Sequence, residues 1–253
     1  MSEPRLQGWL DLLEVSCAEA GITYLDIIID QAGGEIPLIP SVLSVEPALQ
    51  WHSLFTGLPE EAAVDLAPLL LRVDMAHPLQ RQWLIGVMQD INVRSQVLVM
   101  ASVWPFYALA DHLRKCMEAR NGGCMGVFRF YDPRLFSLLF SHVLLPEQQQ
   151  LLLHPVVFWS WLDRDGVPRH LPGRAGAPEL FDPIELSDSQ IDTLCCASDA
   201  TLALSSLNSV FPEDWKAEQR FQVCYAGMLE ASQKGLLTTT QREAYILNNL
   251  SKA

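Results

Sequence analysis

Six cysteines and six histidines carry most of the potential chemistry of this sequence, and their spacing limits its use. A catalytic thiol needs a base within hydrogen-bond reach and a third group to orient that base. Cys124 with His112 or His142 supplies the residue types for such a hydrolase. Buried thiols and surface histidines are the commoner use of both residues. Serine offers less: no G-x-S-x-G elbow is present, Ser160 lies between two tryptophans, and Ser141-His142 falls on an expected helix. Zinc needs closely spaced ligands. The sequence has no C-x-x-C and no H-E-x-x-H, and the adjacent Cys195 and Cys196 cannot easily share a tetrahedral ion. Asp163-Arg164-Asp165-Gly166 opens like a calcium loop but lacks the fifth-position ligand and the closing Glu, so it reads as a turn. The glycines of Asn121-Gly122-Gly123-Cys124-Met125-Gly126 come between a helix and a strand, the reverse of a dinucleotide loop. Gly173-Arg174-Ala175-Gly176 has no P-loop lysine. Asp26 and Asp30 share a strand face, as paired carboxylates would, although such aspartates more often bond to loops. The sequence therefore implies no metal and no cofactor.

The elements that would position these residues alternate in kind. Leu6, Trp9, Leu10, Leu12, Leu13 and Cys17 recur at helical spacing up to Gly21. Tyr24–Asp30 reads as a buried strand, Trp51–Phe55 and Glu60–Asp65 as short helical pieces, and Leu69–Val73 as a second strand. A helix around Gln80–Gln89 precedes a third strand, Gln96–Ala101. Pro105 opens a helix with Phe106, Leu109, Ala110, Leu113, Cys116 and Met117 on one face, and Asn121-Gly122-Gly123 is expected to end it. Val127–Tyr131 alternates like a fourth strand and stops at Asp132-Pro133, with proline suited to the first turn of a helix. Val156–Trp161 is a fifth strand, closed by the Asp163–Gly166 turn. Trp159 and Trp161 share one face of it, and would anchor a protein partner if that face were open.

Composition then shifts. Residues 168–183 are rich in proline and glycine and read as loop. Beyond them only helices are expected. Ser187 and Gln190 form one capping box, Pro212 opens a helix ended by Lys234-Gly235, and Thr238 and Gln241 cap a last helix carrying Ala244, Leu247 and Leu250. The expected architecture is an α/β (α+β) lobe over 1–170, with a mixed sheet flanked by helices. A Pro/Gly-rich linker over 171–187 and a small all-helical lobe over 188–253 complete it.

Apolar residues make up 49% of the chain and charged ones 19%, enough for a sizeable core. A net charge of −13, from 17 basic and 30 acidic residues, weighs against nucleic acid and anionic membranes as partners. No apolar run approaches the ~20 residues of a membrane span. The N-terminal stretch lacks the basic and apolar regions of a signal peptide, which implies a cytoplasmic protein with reduced thiols.

Taken in order, several pieces resemble the type VI secretion effector adaptor (Tap or TEC) family, once catalogued only as a domain of unknown function. They are Tyr24–Asp30, Trp51-His52-Ser53-Leu54-Phe55-Thr56-Gly57-Leu58-Pro59, Leu66–Val73, His112-Leu113-Arg114, Phe128-Arg129-Phe130-Tyr131-Asp132-Pro133-Arg134, and Gln148–Leu151 leading to His154-Pro155-Val156. The likeness spans about residues 20–165. It implies a chaperone without catalytic activity that holds a toxic effector and delivers it to the C-terminal part of a VgrG spike protein, in the cytoplasm of a Gram-negative bacterium. The motif residues Trp51, Arg72, Phe130, Tyr131, Asp132, Pro133 and Arg134, with Trp159 and Trp161, are then candidates either for partner contact or for architecture. The architectural expectation is that Asp132 accepts amides at the helix start while Arg134 pairs with a carboxylate.

Overall fold

The computed structural model describes residues 3–32, 34, 37–91 and 96–250. The chain separates into two compact units, Met1–Phe140 with Leu144–Glu185, and Ser141–Val143 with Leu186–Ala253.

Helix α1 (Glu3–Glu19) buries Leu6, Trp9, Leu10, Leu13 and Cys17 on one stripe. Gly21, at φ 67°, ends it: the Gly21 and Ile22 amides return to the Ala18 and Cys17 carbonyls, which closes the helix C-terminus. Six strands follow in a single sheet: β1 (Tyr24–Ile29), β2 (Gln50–Ser53), β3 (Leu69–Asp74), β4 (Val97–Ala101), β7 (Phe158–Leu162) and β8 (Pro168–Pro172). Their order is β2-β3-β1-β4-β7-β8, and every neighbouring pair runs antiparallel. Alternation divides β1 between two layers. Leu25, Ile27 and Ile29 join the core built by α1, α3 (Pro78–Ile91) and the matching residues Leu69, Leu71, Val73, Val97 and Val99. Asp26 and Ile28 point to the other face.

A small second sheet contains β5 (Glu118–Asn121), β6 (Cys124–Val127) and β9 (Ile184–Glu185), and the parallel pairing of the fold lies here, between β5 and β9. The α+β architecture expected from the sequence is thus present, with helices α4 (Phe106–Cys116), α5 (Pro133–Leu138) and α6 (Pro146–Leu153) completing the unit.

Several elements differ from expectation. Gln50–Ser53 is a strand, where Trp51–Phe55 reads as helical, because its backbone pairs with β3. Asn121-Gly122-Gly123 does not end α4. Both glycines have positive φ, 54° and 86°, and form the two-residue turn of the β5–β6 hairpin. Val127–Tyr131 is not a strand beyond Val127. The Phe128 amide bonds Met117 O, Phe130 bonds Phe128 O, and Asp132 bonds Arg129 O, so the backbone is satisfied locally. Phe130 and Tyr131 are consecutive and both buried, which a half-buried strand does not allow. Pro168–Pro172, expected as loop, is instead edge strand β8, where proline's missing N–H is tolerated.

The second unit contains α7 (Asp188–Ser206), α8 (Ala217–Gln233) and α9 (Thr239–Leu250). The Ser187/Gln190 box caps α7, and Thr238 and Gln241 bond reciprocally before α9. Small residues Cys196, Ala197, Ala200 and Ala203 are buried on α7, and Phe221, Cys224, Met228 and Ala231 on α8. Gly227 lets α9 approach α8: a Cβ there would lie 2.6 Å from Ile246 Cγ1. The buried residue of α9 is Ile246, while Leu247, expected inward, is exposed.

Candidate functional site

Two groups of polar residues in the α+β unit are candidates for function. The first begins on β1. Asp26 stands opposite Arg72 of β3 in the register, and the arginine's Nε and Nη2 donate to the two carboxylate oxygens at 2.7 and 2.8 Å. Nη2 also donates to Trp104 O at 3.1 Å, and the guanidinium lies 4.1 Å from the Tyr24 ring centroid. Asp26 is fully buried. Burial pushes its carboxyl up to about 6, against the downward pull of the Arg72 hydrogen bonds and charge. Farther along the same face, Asp30 accepts the Ala32 amide at 3.0 Å and Arg129 Nη2 at 2.5 Å. Arg129 lies 5.6 Å from the Tyr131 ring. The two aspartates are therefore each paired with an arginine rather than with each other.

The Phe130–Arg134 corner follows the same pattern. Asp132 caps α5 by accepting the Arg134 amide at 3.0 Å, and the Arg134 side chain folds back onto the same carboxylate, with Nη2 to Oδ2 at 2.7 Å. Pro133 occupies the first helical position, and Phe130 and Tyr131 fill the core below. Phe130 stacks edge-on against Trp159 at 6.4 Å, and Phe136 of α5 packs on Trp159 and Trp161 at 5.2 and 5.0 Å. Trp159 and Trp161 are 0% and 5% exposed, so the open aromatic face considered from the sequence is covered by α5 and the Phe130 turn. The Trp159 indole donates to Leu152 O at 2.8 Å. Trp51, on edge strand β2, is half-buried against the sheet core. Phe130, Tyr131, Asp132, Pro133 and Arg134 are thus held within the corner that opens α5, while Arg72 pairs across β1 and β3.

The second group was not assembled by sequence reasoning. Beside α4, Trp104, His112 and Leu151 line a cleft of about 230 Å³, closed on its far side by the segment 178–182. His112 and His154 both contact Trp104, at 5.1 and 6.0 Å, and Phe181, at 5.4 and 5.3 Å. The segment is fastened by close backbone approach. Gly173, Ala175 and Gly176 amides bond Val157, Val156 and His154 carbonyls, and the Trp104 indole donates to Gly176 O at 2.6 Å. A Cβ on Gly173 would lie 2.0 Å from Val156 O, and one on Gly176 2.2 Å from the His154 ring. These glycines were the sequence signal for the cleft, present but indistinguishable from ordinary loop glycines.

One Cys–His contact occurs here, and it is not the pair considered from the sequence. Cys116 Sγ lies 3.5 Å from His112 Nε2, while Cys124 is exposed on the β5–β6 hairpin. Two features oppose nucleophile–base chemistry. His112 Nε2 lies 2.7 Å from Leu151 O, and a carbonyl only accepts, so Nε2 carries a proton and is not the base for the thiol. Burial pushes the Cys116 thiol up to about 12, far from the thiolate. In the second unit, Ser141 Oγ and His142 Nδ1 are 2.7 Å apart on neighbouring residues, with His142 against the Tyr225 ring.

Among the described residues no cluster of three or more His, Cys, Asp or Glu is placed to hold a metal, and no helix is long and apolar enough to cross a membrane. Residues 27–150 match the family model described as a domain of unknown function, DUF4123. The match takes in Arg72, Asp30 and the whole Phe128–Arg134 corner, and stops short of Trp159 and Trp161. No curated protein and no solved structure matched the chain.

Proposed function

We propose that this protein is a non-catalytic adaptor that binds a type VI secretion effector in the cytoplasm and loads it onto the C-terminal region of a VgrG spike protein. The observation that carries this reading is the family match over residues 27–150, a domain associated with such adaptors. It contains the ordered motifs that resemble them. The polar groups of those motifs also support it. Asp26, Asp30 and Asp132 are each bonded to an arginine, and none is held ready for acid–base work. An acidic, apolar-rich chain that fastens its own charged residues inward is suited to presenting surface to other polypeptides. Effector and spike would each need a contact of standard size, roughly 1,200–2,000 Å² of buried surface.

Co-expression of the full chain with a cognate effector and spike tail tests this. Recovery of a complex containing both partners is expected. Failure to recover either, from a folded protein, overturns the reading. A small-molecule hydrolysis that disappears on replacing His112 or Cys116 would overturn it from the other side.

A further inference from the structure

Resting on the adaptor reading, we infer that the cleft beside α4 seats a single arginine side chain of a protein partner. Its size points to a side chain: about 230 Å³ is below the ~300–1,000 Å³ of cofactor and drug-sized sites. Two aromatic rings line it, the buried Trp104 and the half-exposed Phe181, and the second is a surface on which a planar guanidinium stacks.

Its charged groups are mainly carboxylates, Asp111, Glu179 and Asp182 against one lysine, Lys115. His112 is only 6% exposed, and its Nε2–H is held by Leu151 O. The other ring nitrogen, Nδ1, has no hydrogen-bond partner among the described residues and belongs to a residue that lines the cleft. Burial keeps the ring neutral, so this nitrogen accepts. At the rim, Lys115 pairs with Asp111 at 2.8 Å. Glu179 lies 3.7 Å from His154 Nε2, and neither it nor Asp182 is paired with a lysine or arginine among the described residues. An acidic rim, an aromatic wall and an imidazole acceptor complement one cation with several planar donors. A carboxylate or phosphate would meet the carboxylates of Glu179 and Asp182 at the rim, where Lys115 is already paired with Asp111. Exposed Leu180, 87% accessible, lies in the cleft lining as apolar surface for the rest of a partner chain.

The test uses the full-length protein and follows the Trp104 indole N–H resonance during titration with N-acetyl-arginine methylamide. The uncharged isostere, N-acetyl-citrulline methylamide, is the control. A saturable shift with arginine is expected, at least tenfold weaker with citrulline and lost in Ala108→Trp, which fills the cleft from its half-exposed wall. Equal response to citrulline, or no saturable response to arginine into the ~10 mM range, overturns the inference. In co-expression, Ala108→Trp should lower recovery of at least one partner at least tenfold with an unchanged circular dichroism spectrum. If both partners come down with Ala108→Trp as with wild type, the arginine site fails while the adaptor reading stands. If wild type recovers neither, the adaptor reading fails while the titration still decides the site.

Discussion

The arginine–aspartate corner and the histidine cleft lie in the same unit and use residues of similar polarity, yet they treat them in opposite ways. In the arginine–aspartate group each carboxylate has its counter-charge, Arg72 for Asp26 and Arg129 for Asp30 from another part of the chain, and Arg134 for Asp132 two residues along the same helix start. At the cleft an imidazole nitrogen is left without a hydrogen-bond partner among the described residues, and Glu179 and Asp182 have no lysine or arginine paired with them there. Polar residues that satisfy one another hold a fold together, and polar residues left open to a cleft are available to a ligand. The motif that draws most attention in the sequence is of the first kind.

Breaking the corner should be the most costly change. Arg72→Met leaves Asp26 buried without its counter-charge, and a loss of about 3–5 kcal/mol in urea unfolding at neutral pH is expected. The sign of its pH dependence follows from Asp26. The folded carboxyl is already raised to about 6, and losing Arg72 raises it further. The stabilisation from protonating a raised group is fully present below the unfolded value and is lost as pH rises through the folded one. The variant's deficit should therefore shrink as pH is lowered from 7.5 towards 5. A deficit under about 1 kcal/mol at neutral pH would place the corner's strength elsewhere.

At the cleft, Gly173→Ala drives a methyl group against Val156 O and should cost roughly 1–3 kcal/mol. Its diagnostic is faster hydrogen exchange at the Trp104 indole, whose acceptor Gly176 lies in the same segment. Unchanged exchange would mean the segment does not depend on this close approach. Asp132→Ala removes a helix cap and a half-exposed ion pair, for about 1–2 kcal/mol. The smallest effect is a chemical one. Brief alkylation of the native protein should label the exposed Cys124 and Cys195 and spare Cys116 until unfolding, as read by mass spectrometry. Rapid labelling of Cys116 would reopen the case for a reactive thiol beside His112.

Much of the fold was legible from short-range patterns. Helix α1 and its glycine stop, the Ser187 and Thr238 caps, the Pro133 start of α5 and strands β1, β3, β4 and β7 all announce themselves by period or capping chemistry. Periodicity misled where local bonds replaced a ladder. The Phe128–Asp132 turn has a strand-like alternation but bonds to itself and to Met117, and β2 and β8 carry weak strand patterns that a neighbouring strand overrides. The capping role of Asp132 could be read from three consecutive residues because donor, acceptor and proline are all local.

The sequence by itself determined the buried stripe of α1, the buried run of β1, the caps that open α5, α7 and α9, and that no metal or phosphate motif is present at recognisable spacing. Tertiary structure alone decided the partners of the charges and the existence of the cleft. Asp26 and Arg72 are 46 residues apart, and Asp30 and Arg129 are 99. Trp104 meets Gly176 across 72. Contacts at such separations depend on strand register and on how closely a glycine lets two backbones approach, and neither quantity leaves a period in the chain.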